Sequence, residues 1–212
     1  MARVVKKSEE RKDELLNIAL KLFLKKGYEN TSIKDIYTQA NGSFGMFYHH
    51  FKSKEEIFGA AMDKFTGLFI NKFSEILSDK NMSFEKRYNA AIMCLIEFLN
   101  GRDEVIRYER SEIDVSVFRL LSLRILSESI HPLELFLEEG SKAGIIHTDD
   151  IRQAAIFIVY GIYGILREEG LRTSNNKNAL SLLSKLSILI SKALDCDIAT
   201  FKIEINKETE EN

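Results

Sequence analysis

The sequence predicts an all-α protein, with an N-terminal three-helix helix-turn-helix domain and a larger C-terminal helical domain behind it. Three observations carry this expectation. Breakers are scarce: 212 residues hold a single proline, Pro132, and 11 glycines, too few for the many turns of a sandwich or barrel. Apolar residues recur at helical rather than alternating spacing along nearly the whole chain. Capping residues stand where the periodic segments start and stop. With 45% hydrophobic and 29% charged residues, the composition is that of a folded globular chain rather than a disordered one.

Residues 1–7 read as a basic arm, and Ser8 is placed to cap a first helix with Glu9 and Glu10 in its opening turn. Leu15, Ile18, Ala19, Leu22 and Phe23 follow as one buried stripe, and Lys25, Lys26 and Gly27 end the helix. Thr31 or Ser32 can cap a short second helix, with Ser32 and Asp35 resembling a capping box. Its inner face is Ile33, Ile36, Tyr37 and Ala40. Asn41-Gly42 is a turn signal, since both residues tolerate positive φ. Ser43 caps a third helix through His50, and Ser53 to Glu56 form another capping box. That box opens a long fourth helix with the stripe Ile57, Ala61, Phe65, Leu68, Phe69 and Ile76. Further helices are expected at about 83–99, near 103–110, at about 115–141 with a kink before Pro132, at about 149–168 and at about 177–194. The domains expected are residues 1–54, residues 55–205 and a polar tail at 206–212.

Charge is divided unevenly. Residues 1–54 hold 11 Lys/Arg against 6 Asp/Glu, whereas the remainder holds 19 against 26. Any nucleic-acid contact therefore belongs to the first segment. Cys94 and Cys196 lie in apolar surroundings without a CxxC pair, as reduced, packed thiols do. The first eleven residues are too polar for a signal peptide, and the uncharged run Gln153–Leu166 is shorter than the roughly 20 residues a bilayer requires. No membrane contact and a cytoplasmic location are expected.

A short helix, an Asn-Gly turn and a second short helix have the geometry that presents the helix after Ser43 to a DNA major groove. Ser43 offers a hydroxyl beside free backbone N–H groups, and Gly45 permits close backbone approach. Tyr48, His50 and Lys54 offer phosphate donors at one end, and Thr31 and Lys34 do so at the start of the preceding helix. The run Gly27-Tyr28, Thr31 to Ile36 and Ala40 to Glu55, with its Ser43-Phe44-Gly45-Met46-Phe47-Tyr48-His49-His50-Phe51 string and Ser53-Lys54-Glu55, resembles the DNA-binding domain of the tetracycline-repressor (TetR) family. The resemblance is sharp over roughly residues 11–60 and architectural beyond, where Leu137-Glu138-Glu139-Gly140 and Gly144 also look familiar. It implies an all-helical homodimeric regulator that binds a double-stranded DNA operator and releases it when a small molecule fills the C-terminal domain. Tyr48, His50 and Lys54 then match backbone contacts. Ser43, Phe44 and Met46, flanked by Gly45 and His49, match positions at or near the bases, and Lys34 a helix-start contact. Two residues depart from the pattern: Gly42 stands where an apolar residue such as valine packs, and Phe44 where a polar or basic residue is common.

An enzyme is a poor fit, because the chain shows no nucleophile elbow, zinc-protease motif or phosphate-binding glycine loop. No cofactor is expected, and no metal: His49 and His50 are helix neighbours that diverge by roughly 100°. His131 and His147 are isolated. Phe65, Phe69, Phe98, Tyr108, Phe118 and Tyr160 are candidate walls for an effector pocket, the effector being apolar or aromatic. Glu97, Arg107 and Glu112 are candidates to orient its polar end or are solvated side chains. Ile158, Ile162, Ile165, Leu182, Leu186 and Leu189, with Gly161 and Gly164 allowing close approach, are candidates for a four-helix interface between two copies. The leading expectation is a ligand-responsive dimeric repressor on a palindromic operator. The alternative is a helical ligand-binding or interaction protein that has lost specific operator binding.

Overall fold

The computed structural model describes residues 8–99, 114–168 and 176–197. Among the described residues there are eight helices and no strand. They are α1 (Ser8–Lys26), α2 (Ile33–Gln39), α3 (Phe44–His50), α4 (Lys54–Ser78), α5 (Phe84–Leu99), α6 (Val115–Lys142), α7 (Ile151–Glu168) and α8 (Asn176–Ala193). The all-α expectation holds. The basic arm, the helix expected near 103–110, Tyr108, Arg107, Glu112, the polar tail and the side chain of Glu97 fall outside the described residues. Ser8, expected as a cap, is already helical. The chain divides into two units, the first Met1–Phe69 with Tyr108–Arg124, the second Ile70–Arg107 with Ile125–Asn212.

The first unit is built on an apolar cluster. Leu15, Ala19, Leu22 and Phe23 of α1 meet Ile36 of α2, Phe47 of α3, Phe51 and Ile57. Phe47 and Phe51 pack with ring centroids 6.0 Å apart, as their four-residue spacing predicts. Helix α1 stops because Gly27 takes a left-handed conformation (φ 79°) and its N–H donates to the Phe23 carbonyl at 3.0 Å, an αL cap. Immediately beside it, the Asp114 N–H donates to the Leu24 carbonyl at 2.6 Å. The Asp114 carboxylate in turn accepts from the Ser116 and Val117 N–H groups and so caps α6. A Cβ on Gly27 would lie 2.7 Å from that carboxylate. One residue thus satisfies orphan groups at two helix ends. Leu68, expected in the buried stripe of α4, is exposed instead; its place on the helix turns it away from Phe65 and Phe69, which are buried.

In the second unit, Phe84 of α5 stacks on Phe136 of α6 at 4.1 Å and 11°. The Arg87 guanidinium is only 4% exposed. It lies 5.7 and 5.2 Å from the centres of those two rings and donates to both carboxylate oxygens of Glu139, at 2.7 and 3.1 Å, and to the Leu77 carbonyl at 2.8 Å. The Arg87 and Lys80 partners hold the Glu139 carboxyl down at about 2. Gly140 follows because Phe84 occupies its side-chain space: a Cβ there would meet the ring at 2.5 Å. Helix α6 carries Pro132 internally and ends on left-handed Gly144. The Gly144 N–H donates to Ser141 at 3.0 Å and the Ile145 N–H to Gly140 at 2.9 Å, a Schellman motif. Cys94 is buried and Cys196 half-buried, and neither is in a disulfide.

Candidate nucleic-acid interface

Helices α2 and α3 and the turn between them are specified by local hydrogen bonding. Ser32 is the cap of α2: its side chain accepts from the Asp35 N–H at 3.1 Å, while the Asp35 carboxylate accepts from the Ser32 N–H at 2.9 Å. The shorter Asp therefore completes a capping box, and the Asp35 carboxyl is lowered by the Ser32 backbone and side-chain bonds. The turn is a Schellman motif. Asn41 takes the left-handed position (φ 51°), its N–H donates to Thr38 at 3.0 Å, and the Gly42 N–H donates to Tyr37 at 2.8 Å. Only Asn41 uses the positive φ that both residues tolerate. Gly42 serves another purpose, because a Cβ there would fall 2.0 Å from the Met46 methyl. The Met46 side chain occupies the space that a side chain at position 42 would take, which accounts for the glycine there.

The Ser43 side chain accepts from the Met46 N–H at 3.4 Å and caps α3. Phe47 is buried and Met46 is packed against the same cluster, so the rest of α3 faces outward. Phe44 is 63% exposed and Tyr48 41%, with their rings 4.4 Å apart. Gly45 has open space where a side chain would stand. Ser43, Lys34 and His49 are exposed, and His50 is half-buried. Burial lowers the His50 pKa, assisted by the positive charges of His49, Lys12 and Arg11 and opposed by Glu9. The His49 and His50 rings do not diverge fully but touch edge to face at 4.9 Å. Among the described residues, no group of three or more His, Cys, Asp or Glu is placed to hold a metal.

Thr31 requires correction. It is 1% exposed, and its hydroxyl donates to the Leu22 and Gly27 carbonyls at 3.2 and 2.8 Å. Its chemistry is spent on joining α2 to the end of α1, leaving no donor for a phosphate. Lys54 is turned inward on its own unit, with Nζ 4.2 Å over the Tyr28 ring and 3.4 Å from the Glu29 carbonyl. The Tyr28 hydroxyl donates to Glu55 at 2.8 Å and is raised to about 12, first by burial and then by that carboxylate. Sequence reasoning missed Arg11, which donates to the Ala40 carbonyl at the end of α2 at 3.2 Å and to Glu14 at 2.6 Å. It also missed that Glu56 reaches the Lys52 N–H, at 2.5 Å, rather than that of Ser53. The Arg11–Ala40 link spans 29 positions, and no local spacing announces it.

The candidate pocket residues differ in exposure. Phe65, Phe69 and Phe98 are buried and Phe118 half-buried, but Tyr160 points outward from α7. A groove of about 280 Å³ in the second unit is lined by Leu77, Lys80, His131, Pro132, Leu135 and Phe136 among others, and by none of those candidates. The candidate interface residues divide: Leu189 is exposed and Ile165 half-buried. Ile158 and Ile162, each 1% exposed, and Leu182 and Leu186 lie in the chain's own core. Among the described side chains, the large apolar ones facing outward are Phe157 and Tyr160 on α7 and Ile188 and Leu189 on α8. Gly161 and Gly164 have open space at their Cβ positions, and α7 packs along α8. Both helices are apolar on two faces, and periodicity does not state which of the two turns inward.

The profile of bacterial regulatory proteins of the tetR family matches residues 15–61, the stretch from the first buried leucine to the start of α4. The transcriptional repressor DhaR of Mycobacterium sp. (strain GP1) is 28% identical over 140 residues, covering 65% of this chain and 71% of the relative. The uncharacterised HTH-type regulator YerO of Bacillus subtilis is 37% identical over 70 residues, 33% of this chain and 24% of its own length. The SmeT–triclosan complex shares the fold over 93% of this chain and 98% of its own, with a TM-score of 0.63 at 18% identity. Relatives and fold agree with the helix-turn-helix built above: residues 15–61 match the DNA-binding domain of the tetR family of bacterial regulatory proteins.

Proposed function

We propose that the protein is a dimeric, effector-responsive transcriptional repressor that grips a palindromic operator with α3. The observation that carries this reading is the outward face of α3, where Phe44, Tyr48 and His49 project from a helix whose opposite side is locked by Phe47. Tyr48, His50 and Lys34 are assigned to phosphates, and Ser43, Phe44 and Gly45 to the groove floor. Lys54 joins the phosphate contacts by leaving the Tyr28 ring. The sign of regulation follows DhaR, a named repressor.

The second copy is assigned to the face formed by Phe157, Tyr160, Gly161 and Gly164 of α7 with Ile188 and Leu189 of α8. The spacing 157, 160/161, 164 is that of one helix face, and the glycines allow a partner helix to approach closely. An effector of apolar or aromatic character, in keeping with the triclosan held by SmeT, would act on the second unit. Among the described residues, no helix is long and apolar enough to cross a membrane, and the work of an operator-binding protein lies in the cytoplasm.

The test is a salt-titrated gel shift with DNA from upstream of the chain's own coding sequence. Wild type should give a sequence-selective shift that weakens steeply with salt. Tyr48→Ala should weaken it with the dimer unchanged. Lys34→Ala should weaken it and also reduce the salt slope by about 0.9, the share of one neutralised phosphate. Weak, sequence-blind binding by wild type would instead support a helical ligand-binding protein without an operator.

A further inference from the structure

Resting on the DNA-binding reading, we propose that Phe44 selects a thymine in each half-site by packing on its C5-methyl group. Of the first four residues of α3, Phe44 alone projects a side chain freely outward. Gly45 has none, Met46 is drawn inward against Gly42, and Phe47 is buried. The Phe44 ring is held in place by the Tyr48 ring at 4.4 Å, so it meets the groove as a preset apolar knob rather than a mobile one. A phenyl ring has no donor or acceptor and cannot read the polar pattern of a base edge.

In the major groove the apolar feature of the four standard base pairs is the thymine methyl. Set against it, Phe44 gains buried apolar area on both partners. Set against a G·C pair, it would cover polar edge atoms without offering them a hydrogen bond, which is unfavourable. The departure at this position therefore becomes a preference: the residue that cannot hydrogen-bond reads shape.

The experiment uses the full chain and DNA duplexes that it enriches from a random-sequence pool. Each thymine of the enriched site is replaced singly by uracil, which removes only the methyl, and affinity is measured by fluorescence anisotropy at fixed salt. One thymine per half-site should respond, with about a fourfold loss, the worth of one buried methyl-sized group. Replacing that T·A pair by C·G should weaken binding, and 5-methylcytosine at the same place should restore part of the loss. Phe44→Ala should bind thymine and uracil duplexes equally, while its thermal midpoint stays that of wild type because the side chain is exposed. Selective, salt-dependent binding by wild type with no uracil-sensitive thymine, or the same sensitivity in Phe44→Ala, overturns the proposal and leaves the DNA-binding reading standing. Failure of the wild-type chain to enrich any sequence overturns both.

Discussion

The two units join their helices by different chemistry. In the first, helix ends meet through backbone groups and short side chains: Asp114 caps α6 while closing α1, Thr31 ties α2 to α1, and Arg11 reaches the end of α2. In the second, α5 meets α6 through one desolvated charge, Arg87, set between Phe84 and Phe136 and answered by Glu139. Many small, local bonds orient a short reading helix, and removing one leaves the others in place. A single ion pair with a buried guanidinium concentrates the same duty, and removing Glu139 leaves that buried charge without its carboxylate. The first arrangement suits a surface that must stay fixed against a ligand outside the protein.

The largest effect should come from removing the anchor beneath the reading face. Phe47→Ala empties a fully buried site and should cost about 3–5 kcal/mol, read from urea midpoints. It should abolish operator binding with it. If Phe47→Ala kept both stability and binding, the cluster would not be what positions α3.

The ion pair in the second unit comes next. Arg87→Met leaves the Glu139 carboxylate facing Lys80 alone and should cost about 2–3 kcal/mol, below the range for a fully buried pair because the Glu139 side chain is 37% exposed. The pH dependence has a definite sign. The folded Glu139 carboxyl lies at about 2, below its ordinary 4.5. Its stabilisation is therefore complete above about 4.5 and is lost as pH falls from there toward 2. Urea midpoints of wild type should drop across that window, and those of Glu139→Gln should drop less. Parallel curves for the two proteins would remove Glu139 from the account.

A pair of glycines separates conformational need from spatial need. Gly27→Ala places a Cβ on a left-handed backbone and 2.7 Å from the Asp114 carboxylate, and should cost about 1–2 kcal/mol. Gly42→Ala crowds the end of a flexible methionine, with the Tyr37 carbonyl at ordinary contact distance, and should cost less than about 1 kcal/mol. Equal thermal shifts for the two would contradict the different roles assigned to them.

What the sequence made legible follows the same division. Ser32, Asp35, Ser43 and Gly27 announced their caps because a cap is a relation between residues three or four apart. The outward turn of Tyr48 was legible from its place beside His49 and His50, polar neighbours on the same short helix. Arg87 with Glu139, 52 positions apart, and Asp114 with Leu24 were not, since nothing local demands a distant partner. The apolar stripes of α7 and α8 were visible as stripes. Which stripe faces the core was not, because Ile162 and Phe157 satisfy hydrophobic periodicity equally well. Thr31 shows the converse failure: its type suits a phosphate contact, and only burial reveals that its hydroxyl is already used.

The smallest expected effect is carried by His50, where the same group should act on stability and on affinity with opposite signs. Burial lowers its folded pKa below the ordinary 6.5, with His49, Lys12 and Arg11 adding to that and Glu9 opposing it. As pH falls through 6.5 the unfolded chain takes up the proton first, so the stability of the free protein declines. A DNA phosphate beside His50 supplies the missing negative charge and raises its pKa. The complex then binds a proton more readily than the free protein, and affinity rises by a few-fold as pH falls from about 7.5 to 6. His50→Gln should flatten both trends while preserving the fold, since the side chain is half-exposed. Anisotropy and urea titrations at matched pH values check the pair together. An affinity that falls with pH in step with stability would mean that His50 faces no phosphate, and that the grip on the backbone rests on Tyr48, Lys34 and Lys54.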